Sequence, residues 1–369
     1  MNNENFKTFF DCGSSKLRAG TFNKADQNEA FYSESNFFTD HSNFFLEAQK
    51  IVKYFEKHTN EYIKNIDLML DSAKMLSIGI SISKKINGSK LKQENVQFLV
   101  QEAKQQILKY YKDHQAVHIV LDNYKIDNID YSYLPNEIKC KLISLDIVFI
   151  CIPNDIITYF KKEFSKLNII IDQIICSSYA KSMNYKNNFQ FEDSISFIDM
   201  GFNKTSITCF NKNKIFFSEI LPIGGNHITK DISKILKVSF YDAENLKLSF
   251  DKDQEYLVKR NISPELIQSI IFARIEEILE LCAQSIKSNL NTLDQCKMVL
   301  MGEGSKILNN KFKEKISFSR DIDLLEESSE DVCNSALKAS EVLDSREVVV
   351  VPKKSIKRGF FEKFFHIFS

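Results

Sequence analysis

One pattern occurs twice in this chain, and it narrows the possible folds more than any other feature. An apolar strand ends on aspartate, a glycine follows two residues later, and a short polar run leads into a second strand. The first copy is Asp11-Cys12-Gly13-Ser14-Ser15-Lys16, after the apolar run that starts at Phe6. The second is Asp199-Met200-Gly201-Phe202-Asn203-Lys204-Thr205, after Ser194-Ile195-Ser196-Phe197-Ile198. Each copy is followed by alternating helical and strand patterns. A unit that repeats in this way predicts two similar α/β halves with a cleft between them. The chemistry of the turns supports this. A tight hairpin after a strand aims backbone N–H groups into one concavity, which suits a phosphate oxygen. Gly13 and Gly201 permit close approach. Ser14 and Ser15 add hydroxyls, and Lys16 adds a point charge. Asp11 and Asp199, at the strand ends, suit a magnesium ion held through water.

Periodicity organises the rest. Strands are expected at 6–11, 17–22, 66–70, 75–82, 117–121, 122–129, 141–152 and 169–175, and helices at 43–55, 94–111 and 155–167. In the second half, strands are expected at 194–200, 206–210, 214–221 and 297–301. Helices are expected at 227–236, 243–248, 264–289 and 335–343, with a short one starting at Ile307. The stretch 323–331 reads as acidic and polar. A Gly224-Gly225 pair leaves a strand and enters a helix, a phosphate-cradling arrangement. Glu244 and Lys247 share one helix face at i, i+3, either as a surface ion pair or as a clamp on a ribose or base. Gly302-Glu303-Gly304-Ser305 is a small-residue loop in which a planar base could lie against the backbone.

Composition excludes several classes. The 49 basic and 49 acidic side chains cancel, so nothing draws the whole chain to nucleic acid, and no nucleic-acid partner is expected. None of the eight cysteines is spaced C-x-x-C, so buried, reduced thiols are expected and not a zinc site. The first sixteen residues lack the pattern of a signal peptide. No stretch approaches the roughly 20 apolar residues of a membrane span. A cytoplasmic location follows as the expectation.

The last fifteen residues form a separate signal. At about 100° per residue, Ile356, Phe360, Phe361, Phe364, Phe365, Ile367 and Phe368 fall on one half of a helical wheel. Arg358, Glu362, Lys363 and His366 fall on the other half, and Lys353, Lys354, Lys357 and Arg358 cluster at the start. This predicts an interfacial helix whose apolar face enters the acyl boundary and whose basic residues meet anionic headgroups. Each such cation contributes on the order of 1 kcal/mol near an anionic leaflet.

The order of these motifs resembles the actin/Hsp70/sugar-kinase nucleotide fold. Within it, Gly224-Gly225-x-x-x-Thr229-x-Asp231-Ile232, then Ala243-Glu244-x-x-Lys247, then Arg274-Ile275-Glu276-Glu277-Ile278-Leu279 are similar to the cell-division family FtsA, as is the tail. The resemblance implies an α/β, two-lobed fold with duplicated ribonuclease-H-like halves and a relocated subdomain. Lobe 1 would be 1–79 with 158–194, the inserted subdomain 80–157, lobe 2 195–345, the linker 346–354 and the membrane helix 355–369. It implies ATP and Mg bound by two phosphate loops, Asp11, Gly13, Ser14, Ser15 and Lys16, and Asp199, Gly201, Asn203, Lys204 and Thr205. Gly224 and Gly225 would face the phosphates, and Glu244 and Lys247 the ribose and adenine. Gly302, Glu303, Gly304 and Ser305 would form the adenosine loop. Partners implied are FtsZ, further copies of the chain in a filament, later division proteins and anionic lipids of the inner membrane's cytoplasmic face. At most a weak ATPase is implied, with nucleotide acting as a switch.

Two departures from the family pattern stand out. Phe202 and Asn203 follow Gly201 where the family is richer in glycine, and Glu303 separates two glycines that are usually adjacent. They imply weaker ATP binding or a shifted loop. The segment after Leu248 is short for the subdomain that meets FtsZ. Other readings of the fold are a sugar kinase, a pilus-assembly-type adaptor and a nucleotide-blind scaffold.

Overall fold

The computed structural model describes residues 5–36, 44–131, 134–135, 138–212, 214–249, 262–290, 296–308 and 322–341. The interfacial helix expected at 355–369 and the linker before it lie outside the described residues.

The duplication is visible as two five-stranded sheets of one design. In the first, β1 (Phe6–Cys12), β2 (Lys16–Asn23) and β3 (Ala30–Asn36) form an antiparallel meander. β1 then pairs in parallel with β4 (Asn65–Leu70), and β4 with β9 (Ile170–Cys176). In the second, β10 (Ser194–Met200), β11 (Thr205–Asn211) and β12 (Lys214–Leu221) repeat the meander. β10 pairs in parallel with β13 (Cys296–Met301), and β13 with β14 (Ile322–Leu324). The strand orders are therefore 3-2-1-4-9 and 12-11-10-13-14. The central strands are buried on both faces, as parallel strands covered by helices must be. This is the two-lobed, actin-like architecture.

Strands β3 and β14 were absent from the periodicity reading. β3 is an edge strand with little burial, and β14 has three residues, so neither carries a hydrophobic signal. The two strands read at 117–121 and 122–129 are one, β6 (His114–Ile126), and a separate β7 (Ile129–Tyr131) follows a turn with positive φ at Asp127 and Asn128. Asparagine and aspartate tolerate that region better than most residues.

Between β4 and β9 the chain makes a third unit. β5 (Leu76–Lys85), β8 (Leu142–Pro153), β6 and β7 form a sheet in the order 5-8-6-7. α2 (Gln93–Tyr110) covers it with Val96, Leu99, Val100, Ala103 and Ile107, spaced at helical period. This unit has its own core around Leu99, Ile119, Leu145 and Phe149.

On the first lobe, α1 (Phe44–Thr59) and α3 (Asn154–Ser165) pack Phe44, Phe55 and Phe164 beneath Phe10 and Leu68. On the second, α5 (Gly225–Leu236), α6 (Phe240–Ser249) and α7 (Pro264–Leu290) bury Ile228, Ile232, Leu246, Ile271, Ile275 and Leu279 with Ile198 and Leu300.

Among the described residues, two helices join the lobes. α4 (Ser177–Tyr185), which the periodicity did not mark, leads from β9 toward β10. α8 (Ser329–Ser340) comes after the last strand of the second sheet, yet its Val332, Cys333, Ala336 and Leu337 pack with Phe9, Phe22, Met69 and Ala180 of the first lobe. The helix assigned to lobe 2 by sequence is thus part of the first lobe's core. It starts at Ser329 and not at Ser335, because Ser328 caps it: the Asp331 N–H donates to Ser328 Oγ at 3.0 Å and the Ser328 N–H donates to Asp331 Oδ2 at 2.9 Å. A reciprocal cap of this kind satisfies two otherwise orphaned donors.

Candidate functional site

The two repeated turns face each other across the cleft and have the same backbone geometry. The Gly13 N–H donates to Lys16 O at 3.0 Å, and the Gly201 N–H donates to Lys204 O at 2.9 Å. Between them lies a cavity lined by residues of both turns, with Arg18, Asp71, Ser177, Lys181, Ser206 and Glu303. Asp11, Gly13, Ser14, Ser15, Lys16, Asp199, Gly201 and Lys204 of the two turns line it together, joined by Glu303 from the loop after β13.

Asp11 ends β1 opposite Arg18 of β2, its register partner. Arg18 Nη1 donates to Asp11 Oδ2 at 2.8 Å, and Ser177 Oγ donates to Asp11 Oδ1 at 2.7 Å. The same guanidinium reaches across the cleft, where Nη2 donates to Glu303 Oε1 at 2.6 Å. A planar fork with several donors suits two carboxylates at once. Glu303 is also 3.4 Å from Lys16 Nζ and 2.6 Å from Lys306 Nζ. Burial alone would raise the Glu303 pKa, but the Lys306 hydrogen bond and the Arg18 charge hold it down at about 2. Burial would lower the Arg18 pKa, yet Asp11 and Glu303 together carry it above its ordinary value.

Asp199, the second strand-end aspartate, is met by Lys181 of α4, whose Nζ lies 2.6 Å from Asp199 Oδ2 and 2.9 Å from Glu327 Oε2. Lys181 is fully lined by protein, and burial works against its charge. Asp199 and then Glu327 outweigh this and raise its pKa. Glu327 is itself pushed up by burial, against the pull of Lys181.

Lys204 donates to the backbone carbonyl of Asp71, which follows β4 in the other lobe. Burial lowers its pKa, and Asp71 and Asp199 offset this only in part. The Asp71 carboxylate accepts from the Ser178 N–H at 3.1 Å and from Ser206 Oγ at 3.3 Å. Asp11 and Asp71 therefore sit at the start of α4, where helix N–H groups favour negative charge.

The residues expected to hold the nucleoside are arranged otherwise. The Gly225 N–H donates to Gly201 O at 3.0 Å, and the Asn226 N–H donates to Phe202 O at 2.7 Å. The start of α5, expected to face phosphates, is thus capped by the carbonyls of the second turn. Glu244 and Lys247 are buried and turned toward the helix pair. Lys247 Nζ lies 2.7 Å from Glu244 Oε2 and donates to Thr229 Oγ1 at 2.9 Å and to Gly225 O at 3.2 Å. They form a structural ion pair between α5 and α6 and not an open clamp. A methyl group on Gly224 would come within 2.5 Å of Gly201 O, and one on Gly304 within 2.7 Å of Met200 O. The glycines therefore bring three backbone segments into contact. Gly302 adopts φ of 97° beside Asp199, and Ser305 Oγ donates back to Gly302 O at 2.7 Å. Thr205 Oγ1 donates to Ile223 O at 2.7 Å, and Asn203 Oδ1 accepts from Asn226. Asn203, Thr205, Gly224, Gly225, Glu244, Lys247, Gly302, Gly304 and Ser305 all lie outside the lining of the cavity.

Arg18, Asp71, Ser177, Lys181, Ser206 and Glu327 were missed as site residues. Two carried a usable signal. Asp71 ends the apolar run Ile66–Leu70, as Asp11 and Asp199 end theirs. Arg18 lies two residues beyond Lys16 in an otherwise apolar strand, so it shares a face with it.

Residues 196–310 match the family model of cell division protein FtsA. The chain is similar to cell division protein FtsA. FtsA of Buchnera aphidicola from Acyrthosiphon pisum is 21% identical over 348 residues, which cover 83% of this chain and 82% of that one. FtsA of Streptococcus pneumoniae is 28% identical over 148 residues, 36% of this chain, and FtsA of Agrobacterium fabrum 22% identical over 245 residues, 60% of it. The matched segments span 32% and 54% of those two relatives. Among solved structures, the PilM–PilN type IV pilus biogenesis complex superposes with a TM-score of 0.60 over 88% of this chain and 89% of that one, at 12% identity. That likeness establishes the actin-like fold.

The family resemblance implies a metal–nucleotide in this cleft, but the residues present do not fit one. Asp11 and Asp199 already hold cations of the protein. The nucleoside side is closed by backbone contact, with Phe202 buried beside it. The remaining cavity is about 70 Å³, room for a few waters, where small-molecule sites run to roughly 300 Å³ or more.

Proposed function

We propose that this chain is a division protein of the FtsA type, which holds FtsZ polymers at the cytoplasmic face of the cell membrane and self-associates there. The observation that carries the reading is the match of residues 196–310 to the FtsA family. Similarity to FtsA of Buchnera aphidicola over most of both chains supports it. The unit inserted between β4 and β9 also supports it, because its place in the chain corresponds to the relocated subdomain that the family resemblance implied.

The membrane part of the proposal rests on the sequence of residues 353–369, with its basic cluster followed by a phenylalanine-rich face. Apolar burial and attraction to anionic lipid would act together there. Among the described residues no helix is long and apolar enough to cross a membrane. Recruitment of later division proteins belongs to the same proposal. The ATP and magnesium implied by the resemblance are left out of this proposal, because Asp11 and Asp199 are paired with Arg18 and Lys181.

Co-sedimentation of FtsZ with anionic liposomes tests this, using the intact chain and one truncated after Val351. The intact chain is expected to carry FtsZ into the pellet, and the truncated chain to leave it in solution. Vesicle binding without FtsZ would defeat the division role and favour a pilus-type adaptor. Equal pelleting by both forms would defeat the tail as the anchor.

A further inference from the structure

We propose that the interlobe cleft is a self-contained ionic clasp, in which Arg18, Lys181 and Lys204 join the two lobes where other proteins of this fold would place a metal–nucleotide. The closed arrangement then needs no ATP. This holds whether or not FtsZ is the partner, since it rests on the cleft alone.

Every link in the clasp crosses from one lobe to the other. Arg18 of β2 reaches Glu303 after β13. Lys181 of α4 reaches Asp199 of β10. Lys204 of the β10–β11 turn reaches the carbonyl of Asp71 after β4, and Ser206 reaches the carboxylate of that residue. In a nucleotide-operated cleft these positions would be left for an exchangeable ligand to fill. Here the two strand-end aspartates have covalently tethered counter-ions. Arg18 and Lys181 are both nearly inaccessible to solvent, so a divalent ion would have to displace a buried cation to reach either aspartate. The cluster of Lys16, Arg18, Lys181 and Lys204 against Asp11, Asp71, Asp199, Glu303 and Glu327 is close to neutral. A triphosphate would meet no surplus of positive charge.

The side that would take the nucleoside gives a second, independent observation. The first N–H groups of α5 are bonded to Gly201 O and Phe202 O. A methyl group on Gly225 would lie 3.7 Å from Gly201 O and 3.8 Å from Gly304 Cα, so the gap between these segments is one methyl group wide. Lys247, on the same side, is held between Glu244, Thr229 and Gly225 O. These bonds hold α5 against the second turn and α6 and leave its first N–H groups without a free donor for a ligand. Glu303 and Phe202, the two departures seen in the sequence, act in concert. Glu303 anchors Arg18, and the Phe202 ring lines the cavity, with Lys247 Nζ 5.4 Å above it.

Thermal unfolding and hydrogen exchange of the intact protein, with and without about 5 mM Mg·ATP or Mg·ADP, provide the test. A ligand that binds only the folded state raises the melting temperature in proportion to occupancy. The expected shift is below about 1 °C, with exchange at residues 11–16 and 199–206 unchanged by either nucleotide. Glu303→Gln keeps the side chain's shape and removes its charge. It is expected to speed exchange in both segments while the protein stays folded. A nucleotide-dependent rise of several degrees, or protection of either segment by nucleotide, would overturn the proposal. So would unaltered exchange in Glu303→Gln.

Discussion

The two repeated turns share backbone geometry and differ in where their aspartates find a counter-charge. Asp11 finds its counter-charge within its own hairpin in Arg18, its register partner, and a hydrogen bond from Ser177 of α4 in the same lobe. Asp199 is served from the other lobe by Lys181. The first turn is therefore electrostatically complete as soon as β1 and β2 pair. The second is complete only when α4 is in place and the lobes have closed. Duplication preserved the scaffold, and the charges placed on it divided the labour. The aspartate of one turn is neutralised locally, and that of the other only across the lobes, although Arg18 also reaches Glu303 across the cleft.

The strongest test of this difference is Lys181→Met. It would remove the cation paired directly with the buried carboxylates of Asp199 and Glu327. Breaking a buried pair in that way costs about 3–5 kcal/mol. Urea unfolding is expected to show this loss and to split into two transitions, because the lobes would no longer unfold together. A single transition with a small loss would break the comparison.

Arg18→Met comes next. Asp11 keeps Ser177, and Glu303 keeps Lys16 and Lys306. The loss is therefore expected to be nearer 2–3 kcal/mol, the range for hydrogen bonds to charged groups, with unfolding still in one transition. A larger loss than in Lys181→Met would reverse the ranking of the two turns.

Glu303→Gln should have the smallest effect on global stability, about 1 kcal/mol, because the carboxylate is partly exposed and its pairs are partly screened. Its pH dependence sharpens the comparison. The Glu303 pKa is depressed to about 2 in the folded protein, below the roughly 4.3 of an unperturbed glutamate. The stability it contributes is full above the unfolded value and is lost as the pH falls through the folded one. The gap between wild type and Glu303→Gln should stay constant from pH 8 to about 5 and close as the pH approaches 2. A gap that changed near neutrality would place the clasp's charge elsewhere.

Much of the fold was legible in order and type. The apolar central strands and the helices with apolar stripes, such as Val96, Leu99, Val100, Ala103 and Ile107, were readable from their spacing. Edge strand β3, three-residue β14 and short α4 were not, because each is stabilised by what it packs against and not by its own pattern. The phosphate-side residues of the candidate site were legible because a strand, an aspartate and a glycine turn leave a local mark. The glycine pair at 224–225, the Glu244–Lys247 spacing and the loop at 302–305 were legible as local motifs, but not in what they touch. Lys247 could have faced a ligand or Glu244 from the same position on its helix, and only the packing of α5 on the second turn decides between them.

The sequence by itself determined the duplicated turns, the two-sheet plan, the similarity to FtsA and the basic, phenylalanine-rich tail. These are properties of neighbouring residues, where periodicity and turn chemistry act over a few positions. The tertiary structure alone decided that Arg18 would meet Glu303 across 285 positions and that Lys181 would stand between Asp199 and Glu327. Ion pairs of that separation have no local signature. They arise when closure of the lobes removes water from groups that the chain holds far apart, so that each buried charge must find its opposite or be neutralised.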